Sequence, residues 1–438
     1  MLKESKYNLV IEKDVDNRIL LYNTVTGAVC WFKEDIYNTF HNMNAIQEDD
    51  ILPEIVRLGY VVPTEFDETS NLEFYKQCYI FNSSPEYLYY VLAPTLSCNY
   101  QCEYCFEKDK NLNVTMTNQI WNKTFEFIVK QYNQYKNIKG IRITWFGGEP
   151  CLVSEKIVEF SKKIIAFAKE NKIEYDAFLV TNGSLLSSSL INVFYSQCAI
   201  NEAQITLDGL KDIYIKKKKC ANVDFDKVIN HIVEASDILK LHVRINIDKE
   251  NKEDIKGILK LLFDEKKLCG KIKVYFAPVK GYSNKDNTSM LPQEYEMFRK
   301  TMVEYLMENN WEKSFKFELP SKIATSCGAM RNFTCVIGPG GELYRCEHCL
   351  GMPEWIIGTV SDGFFHNSAD MKFLGCKTPE KCLKCKIWPV CAGGCLGDKI
   401  LNGFDFDCDA YEQRIKMHVK WALQKKVSIS KNSNEYPY

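Results

Sequence analysis

Three cysteines, Cys98, Cys102 and Cys105, lie close enough along the chain to bind one metal cluster together, and we call them the triad. A [4Fe–4S] cluster normally takes four thiolates, so three thiolates leave one iron open to another ligand. A zinc ion would need a fourth protein ligand nearby, and the sequence around the triad shows none. The spacing therefore predicts an iron–sulfur cluster whose fourth iron binds a small molecule.

Glycine-rich and polar segments follow the triad at the ends of successive predicted strands. They are, in order, WFGGEP, VTNGS, ITLDG and VRINID. In a barrel of parallel strands, functional residues collect at the carboxyl ends of the strands. One Gly-Gly or Asn-Gly pair would indicate only a turn, whereas four such segments in order indicate a shared site.

The triad, the aromatic Tyr104 before its last cysteine and these four segments resemble the signature of the radical S-adenosylmethionine (SAM) superfamily. The resemblance implies that the open iron chelates the amino and carboxylate groups of SAM. An electron from the cluster then cleaves a C–S bond and gives a 5′-deoxyadenosyl radical. The resemblance assigns the Gly-Gly-Glu segment to the amino group of SAM, and Asn182 and Ser184 to its ribose or carboxylate. The full set of implied SAM contacts is Tyr104, Phe106, Gly147, Gly148, Glu149, Asn182, Ser184, Asp208, Arg244 and Asn246.

One segment departs from the pattern of this superfamily. Relatives commonly have an arginine shortly after the Asp-Gly turn, whereas this chain has the lysine run 216–219. A run of like charges is usually solvated. We therefore expect a solvated charged loop rather than a substitute group that binds a carboxylate.

Cysteines also dominate the C-terminal tail, where ten of the 19 in the chain lie between Cys327 and Cys408. A secreted disulfide scaffold would be short and loop-rich, so metal ligation is the better interpretation. The spacing of these cysteines and of Gly341 resembles the SPASM extension of radical SAM maturases.

The SPASM resemblance implies two auxiliary [4Fe–4S] clusters, and three clusters in all. The outer one is assigned to Cys382, Cys385, Cys391 and Cys408. The inner one is assigned to Cys327, Cys346 and Cys395. For its fourth ligand we favour Cys335, with Cys349 or a position open to substrate as the alternatives.

Hydrophobic patterning divides the chain into predicted domains at 1–85, 86–315 and 316–438. Residues 1–85 show three alternating strands and helices at about 34–43 and 49–58, the second ended by Gly59, which suggests a winged-helix-like unit. Residues 86–315 alternate six apolar strands with longer helices, as in parallel sheets with right-handed crossovers. The predicted fold class is α/β, with a partial (β/α)6 radical SAM barrel, an N-terminal peptide-recognition domain and a C-terminal SPASM domain ending in a helix. An open doubly wound sheet is the alternative from periodicity alone.

The whole chain resembles radical SAM maturases of ribosomal peptides (RiPPs), and most of all the streptide synthase group. That group joins a lysine carbon to a tryptophan ring carbon. Auxiliary clusters suit such an oxidation because they accept an electron after the new bond has formed. The N-terminal pattern resembles domains that bind a leader peptide as an added strand at a sheet edge. The implied partners are a ribosomal precursor peptide and an electron donor such as flavodoxin or ferredoxin.

Other functions fit part of the same pattern. Thioether-forming maturases use the same parts, and anaerobic sulfatase-maturating enzymes share both cysteine regions but oxidise a single residue. An iron–sulfur electron carrier or redox sensor is the alternative outside enzymology, and the triad with its glycine segments disfavours it. We predict Glu318 as the proton acceptor, because a carboxylate between barrel and tail could act as general base. The alternative is a solvated Glu318 paired with Lys316 or Lys322.

Composition excludes several classes of partner. Apolar residues make up 46% and charged residues 26%, which is typical of a soluble globular protein. The net charge of −1 favours neither nucleic acid nor a membrane surface as partner. The sequence shows no signal-peptide pattern and no run of about 18 apolar residues. The expected localisation is cytoplasmic.

Overall fold

The structure, a computed structural model, describes residues 1–40, 51–107, 113–280, 288–403 and 406–425. The chain forms two compact units. The first, which we call the N/C unit, combines Met1–Phe81, Phe317–Arg331 and the chain from Cys376 onward. The second, the barrel unit, combines Asn82–Lys316 and Asn332–Gly375. Among the helices of the described ranges, none is long and apolar enough to cross a membrane.

Strands and helices alternate along most of the chain. The strands are β1 (Leu2–Glu4), β2 (Asn8–Lys13), β3 (Arg18–Asn23), β4 (Val29–Lys33), β5 (Val61–Pro63), β6 (Tyr87–Leu92), β7 (Gly140–Trp145), β8 (Glu174–Thr181), β9 (Ile200–Thr206), β10 (Lys240–Ile247), β11 (Ile272–Pro278), β12 (Thr334–Ile337), β13 (Glu342–Tyr344), β14 (Gly358–Thr359) and β15 (Gly363–Phe364). The α-helices are α1 (Glu34–Thr39), α2 (Ile51–Arg57), α3 (Glu68–Ile80), α4 (Asn118–Gln134), α5 (Ser154–Glu170), α6 (Ser188–Cys198), α7 (Lys211–Lys218), α8 (Asp224–Ser236), α9 (Ile255–Lys260), α10 (Pro292–Glu308), α11 (Ser368–Leu374), α12 (Glu380–Leu383), α13 (Trp388–Cys391), α14 (Leu396–Asn402) and α15 (Cys408–Gln424).

Six parallel strands, β6 to β11, form the main sheet of the barrel unit in consecutive order. A helix follows each of them, so the predicted (β/α)6 repeat is confirmed. A doubly wound sheet would reverse its strand order at a switch point, and these six strands do not. The order is that of a barrel, which brings six carboxyl strand ends to one side.

Aromatic packing anchors the helices to this sheet. Trp145, the last residue of β7, is fully buried. Its ring centroid lies 6.1 Å from that of Trp121 in α4 and 5.9 Å from that of Phe160 in α5. Because the rings meet directly behind the end of β7, this packing fixes where the WFGGEP segment leaves the sheet.

Part of the cysteine-rich tail also belongs to the barrel unit. Strand β12 pairs in parallel with β6, and β13 to β15 continue from it as an antiparallel meander. Hydrophobic patterning did not predict these strands, because a strand of four residues or fewer is too short to show a periodic pattern. Cys335 on β12 is consequently a member of the ten-stranded barrel sheet.

The N/C unit contains a three-stranded antiparallel sheet in the order β2-β3-β4, and a separate pair of β1 with β5. The helices predicted at 34–43 and 49–58 are seen as α1 and α2, and the predicted residues 41–43 and 49–50 lie outside the described residues. Gly59 follows α2 with φ of +80°, the left-handed geometry expected at a helix end.

One hydrophobic core joins the N-terminal sheet to the tail. Leu9 and Leu20 of the sheet pack with Ile387, Ile415 and Val419, which lie about 400 residues away in sequence. All five side chains are buried. The predicted boundaries at 85 and 315 stay predictions. Residues 1–81 also contain a core of their own, which includes Leu21, Phe32 and Tyr60.

Truncation of Ile387 should therefore destabilise the N/C unit. We expect Ile387→Ala to lower the free energy of unfolding by about 2–5 kcal/mol, because it leaves a cavity in the shared core. Leu423→Ala at a side chain that is 41% exposed should change it by no more than about 0.5 kcal/mol. Urea titration of the full chain measures both, and equal effects would contradict the shared core.

Candidate active site and auxiliary cluster sites

The triad lies on the loop that follows β6. Cys98 is exposed, and Cys102 and Cys105 are half-buried. Burial raises the pKa of the Cys105 thiol to about 11, so binding of iron there must displace a proton. Cys98 Sγ lies 3.8 Å from Asn182 Nδ2, just after the carboxyl end of β8.

The end of β7 holds this loop through its backbone. The Gly148 N–H donates to the Thr95 carbonyl at 3.0 Å, and the Glu149 N–H donates to the Ser97 carbonyl at 2.9 Å. A Cβ atom on Gly147, whose φ is +118°, would lie 2.3 Å from the Thr95 carbonyl oxygen. The two glycines were predicted to approach SAM, and the close approach seen in the structure is to the triad loop.

Glu149 ties the end of β7 to the end of β8. Its carboxylate is fully buried and accepts from the Thr181 hydroxyl at 2.8 Å, the Asn182 N–H at 2.8 Å and the Cys151 N–H at 3.0 Å. Burial raises the pKa of Glu149, and these hydrogen bonds oppose that shift. Its predicted contact with the amino group of SAM stays a prediction.

Asn182 and Ser184 lie beside the triad loop, and their predicted contacts with the ribose or carboxylate of SAM stay predictions. Asn182 Nδ2 donates to Asn99 Oδ1 at 2.9 Å and lies 3.8 Å from Cys98 Sγ. Asn99 Nδ2 donates to Ser184 Oγ at 2.8 Å, and Ser184 Oγ donates to Asn182 Oδ1 at 2.7 Å. The polar ends of β8 and of the triad loop thus form one network next to a cluster ligand.

Four more predicted residues meet at the ends of β9 and β10. The buried Tyr104 hydroxyl donates to the Asp208 carboxylate and accepts from Asn246 Nδ2 at 3.3 Å. Arg244 Nε donates to Asn246 Oδ1 at 2.7 Å. Burial is the main reason that the pKa of Tyr104 is raised, so its hydroxyl stays protonated. The structure brings these four together, although their bonds are to one another.

The expectation of a solvated lysine loop is wrong. Lys217 and Lys218 are buried at the end of α7, where Lys217 pairs with Asp248 and Lys218 Nζ lies 2.8 Å from Asp208 Oδ2. Both acids come from strand ends of the barrel and compensate the buried charge. A run of identical charges cannot show which of its members face inward.

Phe106 lies between two other aromatic rings of the barrel unit. Its ring centroid is 4.4 Å from that of His348 and 6.4 Å from that of Phe146, and both pairs are stacked. Sequence analysis did not single out His348, although its place between Cys346 and Cys349 was the available signal. This stacking places the turn that follows Cys346 next to Phe106, the residue after Cys105.

Five cysteines line a cavity of 240 Å³ in the N/C unit: Cys382, Cys385, Cys391, Cys395 and Cys408. Four of them are the predicted outer-cluster ligands. Gly393 N–H donates to Cys391 Sγ at 3.3 Å, a bond that stabilises thiolate charge. Within the described ranges, no three Cys, His, Asp or Glu side chains are grouped closely enough for one metal ion. The cavity brings together five thiols, the ligand type that iron–sulfur clusters take.

The predicted inner-cluster cysteines are divided between the two units. Cys327 and Cys395 belong to the N/C unit, and Cys335, Cys346 and Cys349 belong to the barrel unit. Cys335 is buried near the Arg345–Asp370 ion pair of 2.6 Å, and burial raises the pKa of its thiol to about 12. Cys349 is also buried, and its N–H donates to the Cys346 carbonyl at 3.0 Å. The choice between Cys335 and Cys349 stays open, as does the role of Glu318, which lies in the N/C unit.

The chain is similar to several known proteins. Residues 92–262 match the model of the Radical SAM superfamily. The cysteine-type anaerobic sulfatase-maturating enzyme of Clostridium perfringens is 23% identical over 365 residues, which is 76% of this chain and 96% of that protein. The solved structure of native anSMEcpe with bound AdoMet has a TM-score of 0.61 at 20% identity and covers 77% of this chain and 97% of its own. Streptococcus suis SuiB has a TM-score of 0.52 at 15% identity and covers 90% of this chain and 95% of its own. The two structural likenesses show a shared fold.

Gly147→Ala should disturb the triad without disturbing the sheet. The added Cβ would collide with the Thr95 carbonyl, so we expect iron at the triad to be lost to a chelator about tenfold faster or more. Gly363→Ala is the matched control, because Gly363 also has a positive φ, of +85°, but its Cβ would meet no atom within 4 Å. Iron release from the reconstituted full chain measures both. Equal release rates would show that the close approach at Gly147 is unimportant.

Proposed function

We propose, on the premise that the chain belongs to the radical SAM superfamily, that it is an enzyme which oxidatively cross-links side chains of a ribosomally made precursor peptide. The observation that carries this proposal is the core of the N/C unit. There an antiparallel sheet packs against Cys391 and Cys385, which also line the cysteine cavity. A sheet edge can bind an extended peptide, and a cluster can accept an electron. Oxidation of a bound peptide uses both.

Related structures support a peptide as the substrate. One structure of native anSMEcpe, at a TM-score of 0.60, holds AdoMet together with the Cp18Cys peptide. SuiB matches 90% of this chain, whereas the anSMEcpe structures match 77%. The larger share of this chain that SuiB covers supports a maturase that has an N-terminal module in addition to the parts it shares with anSMEcpe. The higher TM-score of anSMEcpe supports the second candidate, a sulfatase-maturating type of enzyme that oxidises one residue.

The chain's own residues would divide the work as follows. The triad holds the first cluster, and Asn182 and Ser184 orient SAM beside Cys98. With cluster and SAM bound, one-electron cleavage of SAM supplies a 5′-deoxyadenosyl radical. The tail cysteines hold two auxiliary clusters in the sets given above, and flavodoxin or ferredoxin is the proposed electron donor. Glu318 is the proposed proton acceptor.

For the bond itself we propose a link between a lysine carbon and a tryptophan ring carbon. The peptide then loses two hydrogens: one hydrogen atom from the lysine carbon, and one proton with one electron from the ring. Loss of the ring proton restores aromaticity and needs a base within hydrogen-bond reach of that proton. A thioether link, made by the same parts, is the alternative.

The mass of the product should distinguish these reactions. We expect a precursor peptide encoded beside the gene, co-expressed with the full chain, to become lighter by two hydrogens with its free thiols unchanged. A thioether would give the same mass change with loss of one free thiol. Tandem mass spectrometry with thiol alkylation measures both. A peptide in which a single residue is oxidised and no cross-link is present would favour the sulfatase-maturating type instead.

Strand β4 is the proposed site for the leader peptide. Within the described part of the chain it pairs only with β3, and Trp31 on it is 40% exposed. We expect Trp31→Ala to weaken leader binding by about tenfold or more, because exposed aromatic residues are common anchors of such interfaces. Deletion of residues 1–85 is a poorer test, since it would remove half of the shared core.

Phe74→Ala is the control for this prediction. Phe74 is an aromatic residue that is 70% exposed on α3 of the same unit. Fluorescence anisotropy of a labelled leader peptide with the full-length protein measures both affinities. If Phe74→Ala weakens binding and Trp31→Ala does not, the leader binds at α3 and the assignment to β4 is wrong.

A further inference from the structure

Lys218 occupies a position that a lysine rarely occupies in a folded protein. Its side chain is 2% exposed and lies at the last residue of α7. Nζ lies 2.8 Å from Asp208 Oδ2 and donates to the Tyr104 hydroxyl at 2.7 Å. An ammonium group has three donor protons, and these two contacts take two of them. The cation is therefore already paired within the barrel unit.

Tyr104 connects this buried pair to the triad. It stands in the chain between Cys102 and Cys105, and its hydroxyl also donates to Asp208. Lys218, Asp208 and Tyr104 thus form a closed triangle of hydrogen bonds. The hydrogen bonds of the Tyr104 hydroxyl therefore tether the stretch of backbone that carries two of the three thiols.

The backbone of the same helix end holds the other side of the loop. The Gln101 N–H donates to the Lys218 carbonyl at 3.1 Å, and the Glu103 N–H donates to the Lys217 carbonyl at 3.0 Å. The last carbonyls of a helix have no partner within the helix and need one from elsewhere. The triad loop supplies these partners, so the end of α7 and the loop are satisfied together.

We infer that Lys218 is a positioning residue for the first cluster, which holds the triad loop in its ligand-binding conformation through Tyr104 and Asp208. It does so through Asp208 and Tyr104, which engage two of the three donor protons of its ammonium group. Removal of the ammonium group would leave Asp208 buried without its counter-charge and would remove one of the two groups that donate to the Tyr104 hydroxyl, the other being Asn246. The inference rests on the proposed role of the triad as the ligands of that cluster.

Lys218→Met tests this inference in the reconstituted full-length protein. We expect iron at the triad to be lost to a chelator about tenfold to a hundredfold faster than in the unchanged protein. The change in the EPR spectrum of the reduced protein on addition of SAM should weaken in parallel, and that change reports the first cluster. Lys218→Arg keeps a cation there, so it should restore most of the retention.

Lys217→Met is the matched control. Lys217 is equally buried, one residue earlier, and pairs with Asp248 rather than with Tyr104. It should retain iron at the triad as the unchanged protein does. If Lys217→Met and Lys218→Met lose iron at the same rate, the effect is general destabilisation and the inference is wrong. Unchanged retention in a folded Lys218→Met protein also overturns it.

If Lys218→Met does not fold, Tyr104→Phe tests whether Lys218 positions the triad loop through Tyr104. It keeps the Lys218–Asp208 pair and removes only the hydroxyl that links this pair to the loop. Faster loss of iron supports the inference, and an unchanged rate overturns it. Replacement of all three triad cysteines with alanine tests the cluster assignment separately from the role of Lys218. If that variant keeps the SAM-dependent EPR change, the cluster assignment itself is wrong; if only Lys218→Met and Tyr104→Phe keep it, the role of Lys218 alone is wrong.

Discussion

Backbone hydrogen bonds hold the triad loop from two directions, and the rest of the candidate site depends on them. From one side, the residues after β7 donate to the carbonyls of Thr95 and Ser97. From the other, the end of α7 accepts from the N–H groups of Gln101 and Glu103. Ordering a loop costs conformational entropy, which hydrogen bonds such as these must offset. Its order is supplied by a strand end and a helix end.

Two buried carboxylates follow β7 and β9, and the structure compensates their charge in different ways. Glu149 is surrounded by neutral donors, a hydroxyl and two backbone N–H groups. Asp208 instead has a cation, Lys218, at 2.8 Å. Neutral donors stabilise a carboxylate through their dipoles, whereas a cation does so through a full opposite charge. The two supports of the site therefore differ in how strongly they depend on charge.

Regular parts of the fold could be predicted from the sequence, and contacts between distant residues could not. The six barrel strands were predicted because each is an apolar run long enough to be recognised from the sequence alone. The burial of Lys217 and Lys218 escaped prediction because it depends on Asp248 and Asp208, whose spatial position no local pattern reveals. Asn182 and Ser184 lie beside Asn99 of the triad loop because strand order brings their segment there, and their predicted contacts with SAM stay predictions. The tail strand β12 was missed because its four residues are too short for a periodic signal.

The shared core of the N/C unit has a consequence for the order of events during synthesis. Leu9 and Leu20 leave the ribosome near the start of translation, and Ile387, Ile415 and Val419 leave it near the end. Domains generally fold as the nascent chain emerges, but the side of this sheet that carries Leu9 and Leu20 is covered only when almost the whole chain has been made. The side that carries Leu21 and Phe32 packs within the N-terminal residues and does not depend on the tail. The same packing encloses Cys385 and Cys391, so the sheet is completed and the wall of the cysteine cavity is built in a single, late folding step.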